Sequence, residues 1–188
     1  AYEIGERSSG QGLPSCVAIN SPGVGAGFLG MSYSPFVVQD PNAPVANLRP
    51  AGDVDQDRMA RRLRMLGQVE GQFIKQRLAQ AAVDHKSVYE KTIRMMNSQQ
   101  KNIFNLETES AKVRDAYGRS SFGSGCLMAR RLIEQGVSYV EVALDGWDTH
   151  TSNFDALSRR LLPPLDQGMS ALVADLAISI LIGPVPVV

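Results

Sequence analysis

Gly136-Val137-Ser138-Tyr139-Val140-Glu141-Val142-Ala143-Leu144-Asp145-Gly146-Trp147-Asp148-Thr149-His150 joins an apolar run to a polar loop. Val137 to Leu144 reads as a strand, with Val140, Val142 and Leu144 on one face. Val137, Tyr139 and Ala143 populate the other face, where Glu141 is the exception. Apolar residues on both faces are expected inside a helix-covered sheet. Upstream, Cys126, Met128, Ala129, Leu132 and Ile133 give an apolar helical face from Ser124 onward, and Gly136 ends that helix. Downstream comes a short helix near Phe154 to Leu162, then the punctuation of Pro163 and Pro164. A longer helix follows, carrying Leu165, Met169, Leu172, Val173 and Leu176. Helix, strand, loop, helix is the grammar of an α/β protein.

Further upstream, Asp53 to Tyr117 contains no proline and repeats apolar residues at helical spacing through Met59, Leu63, Leu66, Val69, Phe73 and Leu78. Asp53, Asp55 and Asp57 suit the positive end of that helix. Tyr89, Ile93, Met96 and Ile103 continue the period, which predicts two long helices in a hairpin with a break near Asp84 and His85. A third helix is expected from about Glu107 to Tyr117, closed by Gly118. Residues 1–52 are rich in Gly, Pro, Ser and Asn, with short strands at Cys16 to Ile19 and Phe36 to Val38. The glycine spacing from Val24 to Gly30 resembles a dinucleotide turn, but Ser32, Tyr33, Ser34 and Pro35 follow where a helix would have to begin. It reads as a structural loop, and no cofactor-binding residues are assigned there.

At 188 residues and 44% hydrophobic, the chain can bury one sizeable core. Nineteen basic and nineteen acidic residues cancel, so no global field favours nucleic acid. Arg58, Arg61, Arg62 and Arg64 lack interleaved aromatics and read as a solvated helix face, and His85 reads as a surface residue. Cys16 and Cys126 stand in no metal or redox pattern and read as plain buried thiols, the alternative being a disulfide, which only an oxidising compartment would permit. The apolar tail from Leu176 to Val188 is broken by Gly183, Pro184 and Pro186 and is shorter than the ~20 residues of a membrane helix.

In α/β proteins, ligand sites form in loops at the carboxyl ends of strands. Asp145 to Asn153 occupies that place, beside the only tryptophan, Trp147. Asp148 and His150, two residues apart, project to the same side of an extended segment and could share one divalent ion such as zinc or manganese. Two ligands fall short of the three that a catalytic zinc takes, so other loops would have to supply the rest. The alternative is that Asp148, Thr149, Ser152 or Asn153 caps the following helix while His150 bonds locally. No Gly-x-Ser-x-Gly elbow is present, and Ser120, Ser121 and Ser124 have no base nearby in sequence, so the catalytic nucleophile is unassigned.

Gly146-Trp147-Asp148-Thr149-His150 with Asn153 and Phe154, then Leu161 to Asp166 and Ala171 to Leu176, resemble the family called domain of unknown function 1501. Gly27-Phe28-Leu29-Gly30, Tyr117-Gly118-Arg119 and Ala129-Arg130-Arg131-Leu132 match it as well. The resemblance implies an alkaline phosphatase-like domain: a partial sheet flanked by helices, with the hairpin as an insertion at 53–118, an α/β core unit at 119–176 and an atypical apolar tail at 177–188. It implies a metal-dependent hydrolase of phosphate or sulfate esters, with Asp148 and His150 as metal ligands and Thr149 and Asn153 in support. It further implies an exported or periplasmic protein whose export signal precedes Ala1, and a further strand after Leu176 that this text does not continue into. The expectation is therefore an internal, truncated or frame-shifted piece, inactive alone, with exposed sheet edges and poor solubility. The competing expectation is a non-enzymatic binding or assembly protein that presents the helical insertion to a partner.

Overall fold

Val17, Ala18 and Ile19 are sealed from solvent because the strand carrying them, β1 (Cys16–Ile19), has a hydrogen-bonded neighbour on each side. β2 (Phe36–Val38) and β3 (Tyr139–Val142) flank it in a three-stranded, all-parallel sheet of order β2-β1-β3. Val17 stands opposite Phe36 and Val140, and Ile19 opposite Val38 and Val142. The computed structural model describes residues 12–21, 25–45, 48, 52, 54–75, 88–90, 92–93, 95–96 and 99–182. The α/β class is therefore as expected, and β1 and β2 coincide with the two apolar runs read in the sequence.

β3 is shorter than the expected Val137 to Leu144. Tyr139 N bonds Ser15 O at 3.1 Å and Ala143 N bonds Ile19 O at 2.9 Å, after which β1 turns away at Asn20 (φ 57) and leaves β3 without a partner. Its outer face is also barer than a doubly covered strand, since Tyr139 is 48% exposed.

α1 (Gln56–Lys75) starts where the charge pattern placed it, with Asp55 Oδ1 accepting from Arg58 N at 2.6 Å. Residues 88–90, 92–93 and 95–96 are helical, with Met95 buried, but the expected break at Asp84 and His85 lies outside the described residues. Two expected helices are corrected. Gln99–Phe104 is a 3-10 turn, although helical spacing extended to Ile103. The span expected as one helix from Glu107 divides into a 3-10 turn (Leu106–Thr108) and α2 (Ala111–Tyr117), because the Ser110 hydroxyl accepts from Val113 N and starts a new helix there.

α3 (Ser121–Glu134) begins before Ser124, since Ser120 Oγ accepts from Gly123 N at 3.1 Å and caps it. Cys126, Leu127, Met128 and Leu132, each no more than 1% exposed, press its inner face into the core with Val17, Ile19 and Val38. Gly123 admits the chain reversal from α2, because a Cβ there would collide with the carbonyl oxygens of Tyr117 and Gly118.

Pro163 and Pro164 do not separate two helices. α4 (Asn153–Ala156) runs through a π turn (Leu157–Leu161) into α5 (Leu162–Ile182), with the prolines in its first turn. The wider π turn directly before them relieves the hydrogen bonds and space that proline removes from an α-helix. α5 thus extends beyond Leu176. Leu165, Ala171 and Leu172 pack against the core, while Met169 and Val173 face outward. Among the described residues no helix is long and apolar enough to cross a membrane.

A polar clasp ties these layers together. Glu109 Oε1 accepts from Arg130 Nη2 and Arg131 Nη1, both at 2.9 Å, and Arg131 Nε donates to Ile103 O at 2.9 Å. The segment before α2 is thereby held onto the back of α3.

Candidate functional site

The chain leaves β3 at Ala143 and enters α4 at Asn153, so the loop between them sits at the carboxyl edge of the sheet. Because all three strands are parallel, the segments following β1 and β2 leave from that same edge. Gly146 lies at φ +93, a backbone region that side chains disfavour, and turns the chain outward. Thr149 N then bonds Trp147 O at 3.0 Å, a tight turn centred on Asp148.

That turn brings Asp148 and His150 together. His150 Nδ1 lies 3.1 Å from Asp148 Oδ1, with the two side chains 79% and 89% exposed. This is a charge contact rather than an aligned hydrogen bond, and neither Nε2 of the ring nor Oδ2 of the carboxylate has a partner among the described residues. Thr149 Oγ1 donates to Asn153 Oδ1 at 2.5 Å, so the supporting pair expected from the sequence is also in contact.

The capping alternative lacks its defining bond. Ser152 occupies the N-cap position in a left-handed conformation (φ 51, ψ 40), and no side chain caps α4. Asn153, at the first position of α4, engages Thr149 rather than a helix amide. A non-glycine residue in that conformation costs on the order of 1 kcal/mol. Trp147 (44% exposed) and Phe154 (87% exposed) flank the loop and leave it open.

Oxygen and imidazole donors suit zinc or manganese in kind. In number they are short: among the described residues no group of three or more His, Cys, Asp or Glu side chains could hold a metal ion. Asp148 and His150 by themselves supply only two donors.

Sequence reasoning missed one feature of this edge. Asn20, directly after β1, donates through Nδ2 to Ser121 O at 3.0 Å and accepts at Oδ1 from Ser121 Oγ at 2.8 Å. Ser121, read in the sequence as a serine without a base, is thus tied to the end of the central strand. The available signal was an asparagine, which tolerates the left-handed region, at the end of an apolar run.

The other sequence expectations resolve simply. The glycine loop forms short 3-10 turns (Gly27–Leu29 and Met31–Tyr33), with Phe28 98% exposed, and no α-helix opens at Gly30. Arg58, Arg61, Arg62 and Arg64 are all exposed, and His85 is outside the described residues. Cys16 and Cys126 are free thiols, and burial pushes Cys126 up to about 11.

A family model described as protein of unknown function (DUF1501) matches residues 1–179. No curated protein and no solved structure matches the chain.

Proposed function

We propose, from the premise that this chain belongs to the DUF1501 family of proteins of unknown function, that it contributes to a metal-dependent hydrolase of phosphate or sulfate esters. The observation that supports the reading most is the 3.1 Å contact of His150 Nδ1 with Asp148 Oδ1 on a loop at the carboxyl edge of a parallel sheet. In the proposal the sheet is part of an alkaline phosphatase-like domain, and the protein is exported. Asp148 and His150 would hold a divalent ion, zinc or manganese, with further ligands from other loops. Such an ion polarises the ester oxygen and lowers the pKa of a nucleophile or water. Asp148 lies against the His150 ring, the Thr149 hydroxyl bond to Asn153 stiffens the turn, and the exposed mouth admits a small-molecule ester.

The test measures hydrolysis of p-nitrophenyl phosphate and p-nitrophenyl sulfate with added zinc or manganese, for a version of the protein extended at both ends and its Asp148→Ala, His150→Ala variant. Metal-dependent turnover lost in the variant supports the reading. Equal turnover in both contradicts it.

A second reading, a non-enzymatic binding or assembly protein, draws on α1. None of its described side chains is buried, and Met65 (66% exposed) and Val69 (54% exposed) lie open along it. Retained binding to a partner by the Asp148→Ala, His150→Ala variant, together with no ester turnover in the parent, would favour it.

A further inference from the structure

The loop that carries Asp148 and His150 meets the π turn (Leu157–Leu161) at Gly146. Leu161 Cδ2 stands 3.6 Å, and Arg160 Nη2 3.8 Å, from the point where a Cβ on Gly146 would lie. Leu161, 2% exposed, pins the π turn beneath the loop. Arg160, exposed at the preceding position, holds its charged head against the loop two residues before Asp148. A π turn carries one residue more than an α-helical turn and is frequent at functional sites.

The two arginines of the π turn are placed differently. Arg159 Nε is paired with Asp155 Oδ1, four residues back, at 2.9 Å. Arg160 has Ala156 four residues before it and Pro164 four after, so its own helix offers it no carboxylate at that spacing. Among the described residues it makes no hydrogen bond or ion pair, although Asp145 and Asp148 both stand in the loop that it touches. An exposed arginine without a partner is ordinarily just solvated. What distinguishes Arg160 is its place, since Gly146 carries no side chain to stand between the guanidinium and the loop.

A phosphate or sulfate ester carries its negative charge on non-bridging oxygens arranged tetrahedrally. The planar guanidinium fork matches two such oxygens with parallel N–H bonds, whereas a lysine ammonium offers only a point charge. We propose that Arg160 is a substrate-binding residue of the Asp148 and His150 site and grips two non-bridging oxygens of the ester. The neighbouring Arg159, held by Asp155, takes no part. The proposal rests on the hydrolase reading for the ester, and adds to it the group that recognises the anion.

Titration calorimetry with inorganic phosphate and with sulfate, on the version of the protein extended at both ends, with and without zinc, tests it. At least one of the two anions is expected to saturate one site, and the tighter of them identifies the ester. Arg160→Gln is expected to weaken that anion at least about tenfold, and Arg160→Lys to recover part of the loss, because it keeps the charge and lacks the fork. Arg159→Gln is expected to bind as the parent does. Zinc content and thermal midpoint are expected to be unchanged in Arg160→Gln, which a merely structural role would not allow. No saturable binding of either anion, parent-like binding by Arg160→Gln, equal weakening by Arg159→Gln, or loss of zinc from Arg160→Gln would overturn the proposal. Zinc retained by the Asp148→Ala, His150→Ala variant would defeat the hydrolase reading instead, while the comparison of Arg160 with Arg159 still decides the anion contact.

Discussion

The phenol of Tyr117, 1% exposed at the end of α2, donates to Asp175 Oδ2 on α5 at 2.8 Å. It joins two helices that are far apart in sequence across the face of α3. Arg130 Nε lies 3.6 Å from the same carboxylate oxygen, too far for a hydrogen bond but close enough for attraction. Tyr117→Phe keeps the packing and removes the donor, so urea unfolding is expected to show a loss of about 1–2 kcal/mol.

Burial, and then the Asp175 hydrogen bond, push the Tyr117 phenol well above its ordinary value near 10. The unfolded chain therefore loses this proton before the folded chain does. With fewer protons bound in the unfolded state, stability must fall as pH rises above about 10, and it is fully present below that. Unfolding midpoints between pH 8 and 11 are expected to drop more steeply in the parent than in Tyr117→Phe.

Gly123 lies against the carbonyl oxygens of Tyr117 and Gly118, neither of which is a flexible side-chain end. Gly123→Ala is expected to destabilise by about 1–3 kcal/mol, read as a lowered thermal midpoint, because backbone must move to admit the methyl. Gly67→Ala is the matched control: nothing lies near its Cβ, and helix propensity favours alanine.

Glu109 and Glu107 both pair with arginine, but in different surroundings. Glu109 is 20% exposed and holds Arg130 and Arg131, whereas Glu107 is 76% exposed and holds Arg114 alone. Denaturant titration is expected to show Glu109→Ala costing about 2–3 kcal/mol and Glu107→Ala under about 1 kcal/mol. Equal losses would mean that the clasp on α3 is not the stronger device.

The thiols follow burial in the same way. Desolvation pushes Cys126 up to about 11 and also raises Cys16, which is less buried. Alkylation of the native protein at pH 8 is expected to modify Cys16 first and Cys126 only on unfolding, as mass spectrometry of the labelled peptides would reveal.

What the sequence made legible followed from local physics. Cys16 to Ile19 and Phe36 to Val38 are short apolar runs bounded by turn residues, and both are strands. Asp148 and His150 do meet, but through the tight turn at Asp148 rather than along the extended segment that their spacing assumed. Less legible were features set by competition between neighbours. β3 ends early because β1 turns at Asn20, and Pro163 and Pro164 sit inside a helical run because a π turn precedes them.

In the proposed function Asp148 and His150 hold a divalent ion. Elemental mass spectrometry should be run on the purified protein and on a version extended at both ends, each beside its Asp148→Ala, His150→Ala counterpart, after exposure to zinc and manganese and desalting. Stoichiometric metal is expected in the extended protein and is expected to disappear in its double variant. No metal in any form, or equal metal in variant and parent, would contradict it and leave the loop without the role assigned to it.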